Sequence, residues 1–137
     1  MKIYFSGSIT GGRDDRHLYA KIISMLKNYG QVLTEHIGNV SMNALGQTHM
    51  TAEEVYIKDT NWIKEADIVI AEVTTPSLGV GYELGYAEML KKRIVCIYRN
   101  IEGKQVSRMV LGNKYNECYE YKEVKDLELI FNKVFSI

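Results

Sequence analysis

Strand-like and helix-like segments alternate along the whole chain, and this alternation limits the fold more than any other feature. Ile3 to Phe5 is a short strand candidate, followed by the loop Gly7-Ser8-Ile9-Thr10-Gly11-Gly12. Asp14 to Tyr29 has helical spacing, with Leu18, Ile22, Met25 and Leu26 on one face and Gly30 where a helix cap belongs. Gln31 to His36 reads as a second strand, and residues 38–50, which show no period, as an extended loop of a kind that is often functional. Thr51, with Glu54 three residues on, predicts a capped helix to about Ala66. Asp67 to Val73 reads as a buried strand and the glycine-rich stretch Thr74 to Gly81 as a loop. A helix over Tyr82 to Lys92 and a strand over Arg93 to Arg99 follow. A Gly103 to Gly112 connection, a strand near Cys118 to Tyr121 and a helix from about Lys125 end the chain. Such steps predict an α/β fold whose mostly parallel five-stranded sheet is doubly wound, flavodoxin-like or Rossmann-like, with helices on both faces. All 137 residues are expected to form one domain, 1–137, large enough to bury a core without disulfide or metal staples.

Composition narrows the partners. Lys and Arg number 17 and Asp and Glu also 17, so no net positive field exists to hold a nucleic-acid polymer. Cys96 and Cys118 form no CxxC pair and read as reduced thiols. No run approaches the roughly 20 apolar residues of a membrane span, and the apolar part of MKIYFSG is too short for a secretory signal. A cytoplasmic protein acting on a small molecule is expected.

Doubly wound sheets bind ligands beyond the carboxyl ends of their strands, which singles out Ser6 to Gly12, Thr74 to Gly81 and the segment after Arg99. The first loop approaches the phosphate-binding GxxxxGK[ST] pattern, but Arg13 stands in place of the lysine and Asp14 in place of the hydroxyl. It suits one small anion such as a monophosphate, held by backbone donors with Ser8 and Thr10, or is simply a tight turn. Asp59 falls within an apolar helical stripe of Ala52, Val55, Tyr56, Trp62, Ile63 and Ala66. An inward carboxylate is either a core aspartate satisfied by hydrogen bonds or an acid with a raised pKa, suited to general acid catalysis. Lys58 and Lys64 lie off the stripe. Glu83, just after Gly79 and Gly81, is either a helix-start acid favoured by the dipole or a reactive carboxylate beside a ligand-holding loop. Pro76 fixes that loop and Ser77 adds a hydroxyl. His17, His36 and His49 show no metal-ligand spacing, and Lys91-Lys92-Arg93 reads as a solvated helix end.

Together, Tyr4-Phe5-Ser6-Gly7-Ser8-Ile9, Leu33-Thr34-Glu35-His36, Asp59-Thr60-Asn61-Trp62, the run Glu72 to Gly85 and Ser107-Arg108-Met109 resemble the 2′-deoxynucleoside 5′-monophosphate N-glycosidases. These belong to the wider nucleoside 2-deoxyribosyltransferase superfamily. The resemblance implies hydrolysis of the N-glycosidic bond to free base and 2-deoxyribose 5-phosphate, without metal or cofactor. Glu83 would be the nucleophile, Asp59 the acid that protonates the departing base and Tyr4 the residue that orients Glu83. Two carboxylates flanking a glycosidic bond about 5 Å apart suit a retaining mechanism. The resemblance also implies that Ser8, Ser77 and the backbone near Gly79 bind the 5′-phosphate, with Gly7, Ile9 and Met109 beside the substrate. Ser107 would come from the neighbouring subunit of a homodimer. Thr10 departs from the arginine of family members, and Arg13 is the candidate to compensate. Residues 38–50 also diverge, leaving base preference open. Base exchange by a transferase, hydrolysis of a ribonucleotide or modified cytidine monophosphate, and a nucleotide sensor are the competing expectations.

Overall fold

In a computed structural model that describes residues 1–8, 15–35 and 50–136, five parallel strands pair into one sheet. β1 (Lys2–Ser6) lies between β2 (Gln31–Val32) and β3 (Ile68–Glu72), and β4 (Arg93–Tyr98) and β5 (Glu117–Glu120) follow outward. The order β2-β1-β3-β4-β5 is that of the flavodoxin-like sheets expected from the alternation. Helices α1 (Arg16–Leu26), α2 (Ala52–Glu65), α3 (Leu78–Met89), α4 (Arg108–Leu111) and α5 (Asp126–Val134) complete the described elements.

Successive strand side chains point to opposite faces, so two cores form. Ile3 and Phe5 pack with Tyr19, Ile22 and Leu26 of α1 and Phe131 of α5. Tyr4 faces the other way, among Ile63 of α2 and Val80, Leu84 and Ala87 of α3. Because both faces are covered, β3 is buried at every position, including the acid Glu72.

Several boundaries differ from expectation for identifiable reasons. The second strand is two residues long: Thr34 Oγ1 donates to the Phe5 carbonyl at 2.7 Å and accepts from the Phe5 amide at 2.9 Å, so a side chain replaces the ladder. α1 ends at Leu26 with Lys27 in right-handed helical geometry, so Gly30 does not cap it. A Cβ on Gly30 would instead lie 2.3 Å from the Met1 carbonyl oxygen, so close approach demands the glycine. The expected glycine loop is helix. Ser77 Oγ accepts from Val80 N at 3.3 Å and starts α3 at Leu78, four residues before the expected Tyr82. Three glycines cost about 3 kcal/mol there relative to alanine. Burying Val80 and Leu84, at about 1.5–3 kcal/mol each, offsets that. The Gly103 to Gly112 connection contains α4, and Gly103 takes the left-handed backbone at φ +83°. Lys92 and Arg93 are not merely solvated, since Lys92 Nζ donates to the Lys64 carbonyl and Arg93 pairs with Glu117. Asp14, His36 and the loop over 38–49 lie outside the described residues.

Candidate active site

Strand order reverses between β1 and β3, and the carboxyl ends of these strands face α2 and α3. Tyr4 and Ser6, two apart on β1, point to the same side. The Tyr4 hydroxyl donates to Glu83 Oε2 at 2.5 Å. Glu83 lies in the second turn of α3 rather than the first, so the helix dipole accounts for it less well than expected. Glu83 is partly buried, and burial pushes its pKa up to about 7. Tyr4 donation opposes that rise, the Asp59 charge adds to it and Ser6 opposes it. The Ser6 hydroxyl is buried without a hydrogen bond of good geometry. Burial, and then the charges of Glu83 and Asp59, hold the Tyr4 phenol far above its ordinary value, so it stays a donor at neutral pH.

Asp59, half-buried on α2, is also raised, first by burial, with Lys58 opposing. Lys58 Nζ sits 5.1 Å above the Trp62 ring, which keeps its charge near Asp59. The apolar stripe is buried only at its carboxyl end: Ile63 is inaccessible, whereas Ala52 and Tyr56 are exposed. The result is two carboxyls raised by burial, with the Asp59 charge reaching Glu83 and a phenol gripping Glu83. Such a pair can supply a nucleophile and an acid to one bond.

The serines lie around the same strand ends. Ser8 is buried directly after β1. Gly7 is explained by packing, since a Cβ there would lie 3.0 Å from the Tyr19 ring. Gly79 is not, for its Cβ would meet only Ser77 Oγ, at 3.8 Å. Ser107 precedes α4 without a side-chain cap, leaving its hydroxyl available, and Met109 is 85% exposed. Ser77 and Ser107 line a cavity of about 560 Å³ with Leu78, Gly81 and Tyr82, but Tyr4, Asp59 and Glu83 do not line it. Gly81, which lines the cavity, points about 200° from Glu83 on α3, but Val80, which lines it too, points only about 60° from Glu83, so the cavity wraps the amino end of the helix rather than lying opposite the carboxylate. Ile9, Thr10, Arg13 and His49 fall outside the described residues, and His17 is exposed on α1. Among the described residues no group of three or more His, Cys, Asp or Glu could hold a metal ion. In the sequence Ser6 stands as the first residue of a candidate loop, although its two-residue spacing from Tyr4 carries the signal that they share a face. Glu72, an acid inside a buried strand, was missed as well.

A profile of the nucleoside 2-deoxyribosyltransferase family matches residues 3–123. The chain belongs to that family. It is 41% identical to the 5-hydroxymethyl-dUMP N-hydrolase of Homo sapiens, over 97% of this chain and 78% of the relative. Identity to the protein of that name in Tetraodon nigroviridis is 39%, over 99% of this chain and 98% of the relative. Among solved structures, the CMP N-glycosidase BcmB of Clostridium botulinum superposes with a TM-score of 0.68, covering 97% of this chain and 99% of its own. At 17% identity, that likeness speaks to the fold.

Proposed function

We propose that this chain hydrolyses the N-glycosidic bond of 2′-deoxynucleoside 5′-monophosphates to free base and 2-deoxyribose 5-phosphate. The observation that carries the reading is the Tyr4–Glu83 pair with Asp59 alongside. Glu83 attacks the anomeric carbon, forming a glycosyl ester, while Asp59 gives its proton to the departing base. Asp59, now a carboxylate, takes a proton from water as the water opens the ester, and configuration is retained. Tyr4 holds Glu83 in line. A 2-deoxy sugar lacks the electron-withdrawing hydroxyl that opposes positive charge at that carbon, and is chemically the easier substrate. The relatives named 5-hydroxymethyl-dUMP N-hydrolase make that nucleotide the first to try.

Ser8, Ser77 and Gly79 receive the phosphate in this reading, and a second copy of the chain supplies Ser107. Leu78 is 96% exposed, Met89 81% and Tyr82 61%, and nothing lies within 4 Å of a Cβ at Gly81 or Gly85. An apolar helix face with bare backbone suits close packing against a copy of itself about a two-fold axis. Ser107 shares its cavity with Ser77, and this reading gives its hydroxyl to the neighbouring copy, which the exposed apolar face of α3 leaves room to approach. No described helix is long and apolar enough to cross a membrane. The cytoplasm is the proposed compartment, in keeping with two cysteines that form no CxxC pair.

The test is incubation with a panel that includes 5-hydroxymethyl-dUMP, the common deoxynucleotides, their nucleosides and ribonucleotides, with free bases resolved by chromatography. Base release confined to deoxynucleoside monophosphates is the expected result. Base exchange on nucleosides would move the protein to the transferase side.

A further inference from the structure

Behind the sheet from Glu83 lies a buried ion group that the chemistry above does not use. Glu72, the last residue of β3, is inaccessible to solvent. Its Oε1 accepts from the Thr74 amide at 2.8 Å, and its Oε2 accepts from Thr74 Oγ1 at 2.9 Å and from the Tyr121 hydroxyl. Arg99 Nε lies 3.6 Å from the same Oε2, while another guanidinium nitrogen donates to Asp15 Oδ1 at 3.0 Å, just before α1. The Arg99 amide donates to Thr74 Oγ1 at 2.9 Å. Thr74 is therefore held through its amide and both valences of its hydroxyl. The β ladder ends one residue earlier, where Val73 N donates to the Ile97 carbonyl. Beyond that point a side chain holds the backbone at Thr74, Lys104 Nζ donates to Thr75 Oγ1, and Ser77 caps α3.

We infer that Glu72 and Arg99 are positioning residues for the substrate phosphate: they lock the Thr74 to Ser77 connection, and with it the Ser77 hydroxyl and the amino end of α3, into the geometry that receives the anion. This rests on the proposed reading of the site. A carboxylate is required because three donors converge on it, whereas an amide would turn two hydrogens toward them. A buried ion group is a poor source of stability but fixes one arrangement, since leaving either partner unpaired is costly.

The test uses Arg99→Gln, Arg99→Lys and Asp15→Ala, each with kinetics on a deoxynucleotide and the matching deoxynucleoside and with calorimetric titration of inorganic phosphate. Arg99→Gln should raise KM for the nucleotide and Kd for phosphate about tenfold, the equivalent of one charge-assisted hydrogen bond. The change in kcat/KM for the nucleoside should stay within about twofold. Arg99→Lys should restore part of the loss, because it keeps the charge but not the fork. If Arg99→Gln does not fold, Tyr121→Phe removes a single donor to Glu72 and should give a smaller rise of the same kind. Equal losses on nucleotide and nucleoside, or unchanged phosphate binding in the folded variants, would overturn the inference. Phosphate binding by a wild-type protein that cleaves no nucleotide would overturn the proposed reaction alone, with the titrations still reporting on Arg99. No phosphate binding by the wild type would overturn both.

Discussion

The Tyr4 hydroxyl and Glu83 Oε2 meet at 2.5 Å although 79 residues separate them in the chain. β1 brings the phenol and α3 the carboxylate, so sheet and helix must both be in place before the pair exists. Each raises the other's pKa or restrains it: Glu83 holds the phenol protonated, and the phenol keeps Glu83 from rising further.

That coupling fixes the pH dependence. The proposed reaction needs one proton on the Asp59–Glu83 pair, with Glu83 ionised and Asp59 protonated. Activity should fall on the alkaline side near pH 7, where Glu83, raised to about 7 by burial, gives up its proton and the pair passes from one proton to none. It should fall on the acid side where both are protonated, above the ordinary aspartate value because Asp59 is raised. Asp59→Asn removes the like charge and should lower the Glu83 pKa, besides reducing kcat most for poorly leaving bases. Tyr4→Phe removes a donor and should raise it. Carboxyl titration by NMR or infrared difference spectroscopy reads both; shifts of the opposite sign would sink the assignment.

Stability should also carry the mark of Glu83. Its folded pKa is about 7 against an ordinary 4.5, so between these values the folded state binds more protons than the unfolded. Stability is then present below pH 4.5 and lost as pH rises through 7, by roughly 3 kcal/mol in all. Glu83→Gln keeps an acceptor for Tyr4 and does not ionise. It should be more stable than the wild type at pH 8 by up to that amount, with the gap closing near pH 4.5, while glycosidic cleavage is lost. Parallel denaturation curves at both pH values would contradict it.

How much of this could be read beforehand depended on what kind of signal each feature carries. The order of elements follows from alternating apolar runs, and the parallel sheet bears it out. Boundaries failed where a side chain does the work of backbone, as Thr34 does at the end of β2 and Ser77 at the start of α3. Three glycines concealed a helix whose formation is decided by the burial of Val80 and Leu84, a tertiary effect that propensity does not contain. Asp59 stood out as an acid in an apolar stripe. Glu83 and Tyr4 are distant in sequence, and their pairing was an implication of family resemblance rather than of spacing. Glu72 gave the plainest unread sign, an acid in an otherwise apolar strand, because a buried ion group needs partners from three other segments to be recognised.

Ser77 and Ser107 should separate stability from binding. Ser77 caps α3, and Ser107 makes no cap bond. Ser77→Ala should lower stability by about 1 kcal/mol and also raise KM for the nucleotide. Ser107→Ala should raise KM about tenfold with no change in thermal midpoint, since it loses only a charge-assisted bond to phosphate. A destabilised Ser107→Ala protein with normal KM would remove that serine from the site.

The assembly prediction rests on geometry at α3. Glu83 points toward Tyr4 of β1, while Leu78, Tyr82 and Met89 form an exposed apolar face turned away from it, and Ser107 lines a cavity at the amino end of the helix. If a two-fold partner covers Leu78 and Met89, its Ser107 reaches a site that its own chain does not serve. Leu78→Glu should then yield monomers by light scattering and weaken nucleotide binding without touching Glu83. Mixing Glu83→Ala with Ser107→Ala chains gives the sharper readout: a heterodimer holds one site with both defects and one with neither. After full exchange of equal amounts, about a quarter of all sites should be intact, and activity should rise above either parent. No recovery despite exchange verified by native mass spectrometry would mean that Ser107 acts within its own chain or not at all, and a fully active monomer would remove the interface from the mechanism.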